Sequence, residues 1–94
     1  MRLSPEEIET IKSSVMQLDN LATIYLFGSR VDDAKKGGDI DLLILSKHLT
    51  HKDISTIRWN FYDHFGEQKM DIIIDDGDLN NPFVKKIYPH ALKL

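Results

Sequence analysis

The chain has 94 residues, 41% of them hydrophobic and 29% charged, with a net charge of −3, and this length predicts one domain over residues 1–94. The lack of cysteine excludes disulfides and thiolate zinc sites, and the acidic balance disfavours stable nucleic-acid binding, which usually requires a basic face. No apolar stretch exceeds four residues, too few for a membrane span or a signal peptide, so we expect a cytoplasmic protein without membrane association.

The first predicted helix begins at a capping sequence. Ser4 is a good N-cap, Pro5 suits the first helical position, and Glu7 lies three residues after the cap. The apolar residues that follow recur at helical spacing: Ile8, Ile11, Val15 and Leu18. This helix should therefore pack through one apolar face.

Three strands are predicted after this helix. Segments 23–27, 40–45 and 69–74 are rich in β-branched, aromatic or apolar residues. The second segment is continuously apolar after Asp41, which is typical of a strand covered on both faces. A helix from Thr50 to Gly66 separates the last two strands, and these residues form its apolar face: Ile54, Ile57, Phe61 and Phe65.

A short final helix is expected after Asn81-Pro82, and the elements together indicate a small α/β (α+β) unit. Its mixed sheet has three or more strands, with helices packed on it. The second and third strands should pair in parallel through a right-handed crossover, or lie on either side of the first strand.

The stretch from Gly28 to Asp41 contains the chain's clearest functional pattern. A strand ends at Gly28-Ser29, and after nine further residues Asp39 and Asp41 flank the start of the next strand. Because side chains alternate along a strand, the two aspartates should face the same way, and buried carboxylates require a partner. A glycine turn lets the backbone approach a phosphate, so Gly28 and Ser29 are candidate phosphate ligands.

Asp71 adds a third carboxylate at the start of a neighbouring strand. Three carboxylates at one edge of a sheet can hold two Mg²⁺ ions, with substrate phosphates completing the coordination. Two such ions can stabilise both oxygens of an in-line phosphoryl displacement. The sequence therefore predicts a site for Mg²⁺ and a nucleotide.

Three segments of the chain carry a resemblance to a known family. Gly28-Ser29-Arg30, then Gly38-Asp39-Ile40-Asp41-Leu42 and later Met70-Asp71-Ile72 resemble the signature of the polymerase-β-type nucleotidyltransferase superfamily. The length is similar to that of its minimal nucleotidyltransferase branch. This resemblance implies that Gly28 and Ser29 contact nucleotide phosphates, with Arg30 as a weaker electrostatic candidate. It also implies that Asp39, Asp41 and Asp71 bind two Mg²⁺ ions and form the catalytic site.

The resemblance also implies a biological role. Minimal nucleotidyltransferases typically accompany a HEPN-domain toxin ribonuclease as its antitoxin, and some transfer AMP from ATP to a toxin tyrosine. The expected activity is therefore that of a protein adenylyltransferase in a hetero-oligomer with a HEPN toxin.

One departure from the family pattern leaves an alternative open. Where the family usually places a basic residue and a second glycine, this chain has Val31-Asp32-Asp33, and the loop looks about one residue shorter. Two acidic residues near a triphosphate disfavour efficient turnover. The alternative is an antitoxin that neutralises its toxin by occlusion without catalysis; a weaker third option is a nucleotide-binding subunit of an unrelated assembly.

Other polar and aromatic residues give weaker signals. Arg58 and His64 have the spacing of the HEPN ribonuclease motif, but they lie six residues apart on one helix, so solvated surface positions are expected. The four histidines show no metal-ligand spacing. Trp59 and Tyr62 fall outside the apolar stripe of their helix, which favours an interaction surface over a wider buried face.

Overall fold

The computed structural model describes residues 3–28 and 39–94 of the chain. The helices are α1 (Pro5–Leu18), α2 (His51–Phe65) and α3 (Pro82–Ile87), and a short 3-10 helix follows at Tyr88–His90. The strands are β1 (Thr23–Phe27), β2 (Ile40–Leu45), β3 (Met70–Asp75) and β4 (Leu92–Lys93). The predicted α+β class is confirmed, β1 and β2 have their predicted bounds, and β3 is shifted by one residue.

The helix caps follow the sequence signals. The Glu7 amide donates to the Ser4 hydroxyl at 3.1 Å, and the Ser4 amide donates to the Glu7 carboxylate at 2.9 Å, which completes a capping box. At the start of α2 the Thr50 amide donates to the Asp53 carboxylate at 2.8 Å. These local bonds satisfy amides that have no partner inside a helix.

The strands form one mixed sheet in the order β3-β2-β1-β4. β1 pairs antiparallel with β2, and β2 pairs parallel with β3, so the first of the two predicted arrangements is correct. The sequence analysis missed β4, which pairs antiparallel with β1 through Leu92 and Lys93. Two residues are too few for a strand signal; only their pairing with β1 makes them a strand.

The sheet is covered on both faces, as the continuous apolar run of β2 predicts. Alternate residues of its strands, such as Leu26, Leu42 and Ile72, face a large core that also contains Ile57 and Phe61 of α2. The remaining residues contact a smaller core built on α3 and the following turn: Phe27, Leu43 and Val84, with Tyr25, Ile73, Ile87 and Tyr88 packed against them. Within the described residues, no helix is long and apolar enough to cross a membrane.

Two predicted core positions are more exposed than their periodicity indicates. Leu18 and Phe65 were placed on the apolar faces of their helices, yet 38% of Leu18 and 41% of Phe65 is exposed. Each is the last residue of its helix. Phe65 packs instead on the ring of Phe61, at a centroid distance of 4.9 Å.

Arg58 is half-buried, which corrects the expectation of a solvated position. Its guanidinium Nη2 donates to the Met70 carbonyl at 2.9 Å and thereby attaches α2 to the start of β3. His64 is exposed, and its Nδ1 lies 2.8 Å from the Asn60 carbonyl of the same helix. The two side chains therefore have separate local partners and do not form a joint site.

A buried polar bridge connects the end of α1 to the end of β2. The Ser46 hydroxyl donates to Oδ2 of Asp19 at 2.6 Å and accepts from the amides of His48 and Leu49, each at 3.1 Å. The bond from Ser46 and the Leu21 amide hold the pKa of Asp19 below its ordinary value of 3.8. Charged Asp19 therefore stabilises the fold above that pH, and its contribution is lost as the pH falls through the lowered pKa.

Replacing Ser46 by alanine (Ser46→Ala) should lower the melting temperature by several degrees at neutral pH, because three hydrogen bonds disappear. The difference from the unsubstituted protein should shrink as the pH falls below about 3.8, because Asp19 then becomes protonated in the unfolded chain while the folded protein keeps it charged at a cost. Thermal unfolding between pH 3 and 8 measures this, with Ser55→Ala on the exposed surface of α2 as the control. A difference that does not change with pH would contradict the assigned role of Asp19.

Candidate active site

The strand pairing brings distant residues to one edge of the sheet. Because β1 runs antiparallel to β2, Gly28 at the end of β1 lies near the start of β2. Asp41 is paired with Phe27 on one side and with Asp71 on the other. The predicted neighbours Gly28, Asp41 and Asp71 thus come from three adjacent strand ends, although they are up to 43 residues apart in the chain (71 − 28).

The carboxylates lie on the α3 side of the sheet. Side chains alternate along a strand, so Asp41 shares a face with Leu43, and Asp71 shares it with Ile73. Leu43 and Ile73 belong to the smaller core beneath α3. Helices α1 and α2 cover the opposite face of the sheet, so they do not cover Asp41 and Asp71.

The pKa of the Asp41 carboxyl group is shifted by its surroundings. Partial burial, the negative charges of Asp71 and Asp39, and a hydrogen bond with the Asp71 side chain raise the pKa of Asp41 to about 6, while Lys69 opposes the rise. At neutral pH, above this pKa, the Asp41 carboxylate is mostly charged and lies beside other negative charges when no cation lies between them. This arrangement favours binding of a divalent cation, which removes the repulsion.

Asp39 is the outlying member of the predicted three. Its Oδ2 lies 3.4 Å from the Lys69 ammonium, with the Lys69 side chain 70% exposed and the Asp39 side chain 40% exposed. Over residues 3–28 and 39–94, no three acidic or histidine side chains converge closely enough to hold one metal ion. An exposed ion pair is worth little, so release of Asp39 from Lys69 toward a cation costs little.

Gly28 permits the close approach of β1 to Asp41. Its φ is +78°, a conformation that side-chain-bearing residues rarely adopt, and a Cβ placed there would collide with Oδ2 of Asp41. The glycine of the predicted motif is therefore required by the packing of the acid as well as by backbone conformation. Ser29 and Arg30 lie outside the described residues, as does the Val31-Asp32-Asp33 segment of the loop.

Comparison with known families agrees with this geometry. The family model described as polymerase beta, nucleotidyltransferase, matches residues 9–92, nearly the whole chain. The chain belongs to the polymerase β nucleotidyltransferase family. A search of curated proteins found no match.

Family membership identifies the small four-stranded domain as a nucleotidyltransferase fold, and nucleotidyl transfer as its class of reaction. Members of such a family generally use a divalent metal and a nucleoside triphosphate. The adjacent carboxyl groups of Asp41 and Asp71 have the donor chemistry that Mg²⁺ prefers, and Gly28 borders a cavity beside them.

Sequence reasoning missed the residues that surround this nucleotidyltransferase site from the C-terminal part of the chain. Phe83, Lys86 and His90 line a cavity that also contacts Gly28. They lie more than 50 residues after the glycine, and their spacing is that of an ordinary short amphipathic helix. In the sequence, Lys85-Lys86 is only a short basic cluster and the segment 87–92 only a candidate interaction surface or packed tail, and neither indicates proximity to Gly28.

Replacing Gly28 by alanine (Gly28→Ala) should lower the free energy of unfolding by about 3 kcal/mol, because positive φ and collision with Asp41 both oppose a Cβ. Gly66→Ala is the matched control: Gly66 has φ +84° but no atom within 4 Å of the added Cβ. The control carries the backbone strain without the collision, so it should lose less, about 1–2 kcal/mol. Urea unfolding measures both, and equal losses would show that Asp41 does not press on Gly28.

Replacing Asp41 by asparagine (Asp41→Asn) should stabilise the metal-free protein, because it removes a repelled charge. The raised pKa means that charged Asp41 destabilises the fold above pH 6 and that the penalty disappears as the pH falls toward 3.8. We expect the free energy of unfolding to rise by about 1 kcal/mol at pH 8 and hardly at all near pH 4. The value at pH 8 is kept small because Asp41 is partly exposed to solvent.

Urea unfolding in the presence of EDTA measures this gain. Asp63→Asn, an exposed substitution on α2, is the control and should have little effect. A loss of stability in Asp41→Asn at pH 8 would show that the carboxylate is stabilised in the metal-free fold.

Proposed function

We propose that this domain transfers AMP from ATP, with Mg²⁺, to a tyrosine hydroxyl of a HEPN-domain toxin and so acts as its antitoxin. The observation that carries the proposal is the pair of carboxylates, Asp41 and Asp71, which strand pairing places side by side next to Gly28. The shared carboxylate environment supports a site for cations and phosphates. The toxin partner and the tyrosine acceptor rest on the resemblance to minimal nucleotidyltransferases.

The roles of the residues follow from their positions. The attacking hydroxyl oxygen bonds to the α-phosphorus, the bond to the pyrophosphate oxygen breaks, and the hydroxyl proton passes to a carboxylate. Asp71 is exposed at the β3 edge of the carboxylate pair, which suits a base or metal ligand on the acceptor side. Two Mg²⁺ ions, when bound, would polarise the hydroxyl and offset charge on the pyrophosphate. Asp39 and Asp41 would hold these ions, with Gly28 and Ser29 at the phosphates and Arg30 nearby.

The outer surface of α2 offers a docking face for the toxin. The indole of Trp59 is 60% exposed and contacts the half-buried Tyr62 edge to face, at a centroid distance of 5.6 Å. Exposed aromatic side chains are enriched in protein interfaces, where they contribute much of the binding energy. This surface supports assembly with a protein partner, and α2 covers the sheet face opposite the carboxylates.

A second candidate function is neutralisation by occlusion, without catalysis. The acidic Val31-Asp32-Asp33 segment favours this function. The ion pair between Asp39 and Lys69 also favours it, because Asp39 is paired with a lysine rather than grouped with the other two carboxylates around a metal position. In that case the α2 surface would suffice for antitoxin activity, and the carboxylates would be dispensable.

Labelled ATP distinguishes the two functions. The protein is incubated with Mg²⁺, ATP labelled at the α-phosphate and a HEPN-domain toxin, and label on the toxin is measured. Asp39→Asn and Asp41→Asn should each reduce labelling by about 100-fold or more, because each removes a charge that the transfer depends on. Asp63→Asn, on the exposed surface of α2, should leave labelling unchanged.

The ribonuclease activity of the toxin is measured in the same samples. Under the proposed function, the two site variants lose both labelling and neutralisation. Neutralisation that persists in both variants, with no label transferred by the unsubstituted protein, would establish occlusion instead.

A further inference from the structure

A cavity of about 420 Å³ opens on the α3 side of the sheet, next to the candidate active site. Its described lining consists of Phe27, Gly28, Phe83, Lys86, Ile87 and His90. Cavities that hold small ligands commonly measure about 300–1,000 Å³, and most combine an apolar lining with a few polar groups. This cavity has that composition, with two phenylalanines and an isoleucine beside a lysine and a histidine.

Two aromatic side chains, Phe27 and Phe83, form walls of the cavity. The rings of Phe27 and Phe83 meet edge to face, with an interplanar angle of 75° and a centroid distance of 6.1 Å. Phe27 is 9% exposed and fixed in the smaller core, whereas Phe83 is 49% exposed. Phe83 therefore presents a large apolar surface at the cavity that the fold itself does not cover.

Gly28 connects this cavity to the carboxylates. It lines the cavity, and the position of its missing Cβ is in contact with the Asp41 carboxylate. The strand order places Asp71 on the far side of Asp41, on edge strand β3, so the cavity and Asp71 flank the acid from opposite directions. A ligand that reaches from the cavity across Gly28 to Asp41 must have an aromatic end and an anionic, metal-binding end.

We propose that this cavity binds the nucleobase of the nucleoside triphosphate, with Phe83 as its stacking surface. The inference rests on the proposed function and assigns the substrate's base to α3 and the turn after it. Lys86 and His90, in the same lining, supply hydrogen-bond donors to the base and ribose, and Lys86 adds positive charge for the adjoining phosphates. The exposed β3 edge at Asp71 is left to the acceptor hydroxyl.

Calorimetric titration with two ligands tests the assignment. MgATP contains the base, whereas magnesium tripolyphosphate contains only the phosphate chain. Phe83→Ala should weaken MgATP about tenfold, a typical effect of removing an aromatic stacking partner, and leave tripolyphosphate affinity unchanged. Phe65→Ala is the matched control, because Phe65 is similarly exposed, at 41%, but lies at the end of α2.

Two titration results would overturn the assignment. Unchanged MgATP affinity in Phe83→Ala would exclude stacking on this ring, and equal weakening of both ligands would show a general effect on the site. In both results the unsubstituted protein still binds MgATP, so the proposed nucleotide site would stand. Failure of the unsubstituted protein to bind either ligand would overturn the proposed function together with this inference.

Photolabelling of the unsubstituted protein gives a measurement that does not depend on any variant. An 8-azido analogue of ATP, irradiated in the presence of Mg²⁺, should attach to the segment 83–90, and excess ATP should suppress the label. Label suppressed by ATP but attached only to other segments would overturn the base assignment.

Discussion

The close packing of Asp41 between Gly28 and Asp71 is the constraint on which the site depends. Strand pairing holds the Asp41 carboxylate against a backbone position that tolerates no Cβ, and opposite a second carboxylate. Burial and the neighbouring negative charges raise the pKa of Asp41 to about 6, so the arrangement is unfavourable for a metal-free fold. Such strained electrostatics are common at sites whose ligand supplies the missing positive charge.

The rest of the fold provides the rigidity that this packing requires. β2, which carries Asp41, has a paired strand on each side and apolar cover on both faces. Arg58 attaches α2 to β3 immediately before Asp71, and the Asp19–Ser46 bridge secures the opposite end of β2. Asp41 and Asp71 therefore lie on strands that are fixed at both ends. The hydrogen bonds between β2 and β3, and not the repulsion between the two carboxylates, set the distance between them.

The two faces of the sheet serve different purposes. The α1–α2 face contains most of the apolar core and leaves Trp59 on its outer surface. The α3 face has a smaller core and combines the carboxylates, Gly28 and the cavity beneath Phe83. The candidate active site and the exposed aromatic surface of α2 therefore lie on opposite faces of the sheet.

The sequence alone determined the features that depend on local chemistry. Caps, apolar periodicity and strand composition predicted α1, β1 and β2 closely, and the Gly28, Asp39, Asp41 and Asp71 pattern pointed to the family. Leu18 and Phe65 were misplaced because periodicity gives the face of a helix but not how deeply its last residue is covered by other elements.

Only the tertiary structure decided how these residues meet. Three contacts could not be read from the sequence: the pairing of β4 with β1, the hydrogen bond from Arg58 to β3 and the ion pair of Asp39 with Lys69. They join segments far apart in the chain, or side chains whose rotamers no sequence pattern specifies. The same is true of the cavity that joins Gly28 to Phe83, because it exists only after α3 packs across the sheet. Sequence pattern reports which groups a strand or helix presents; the distances between them arise from packing.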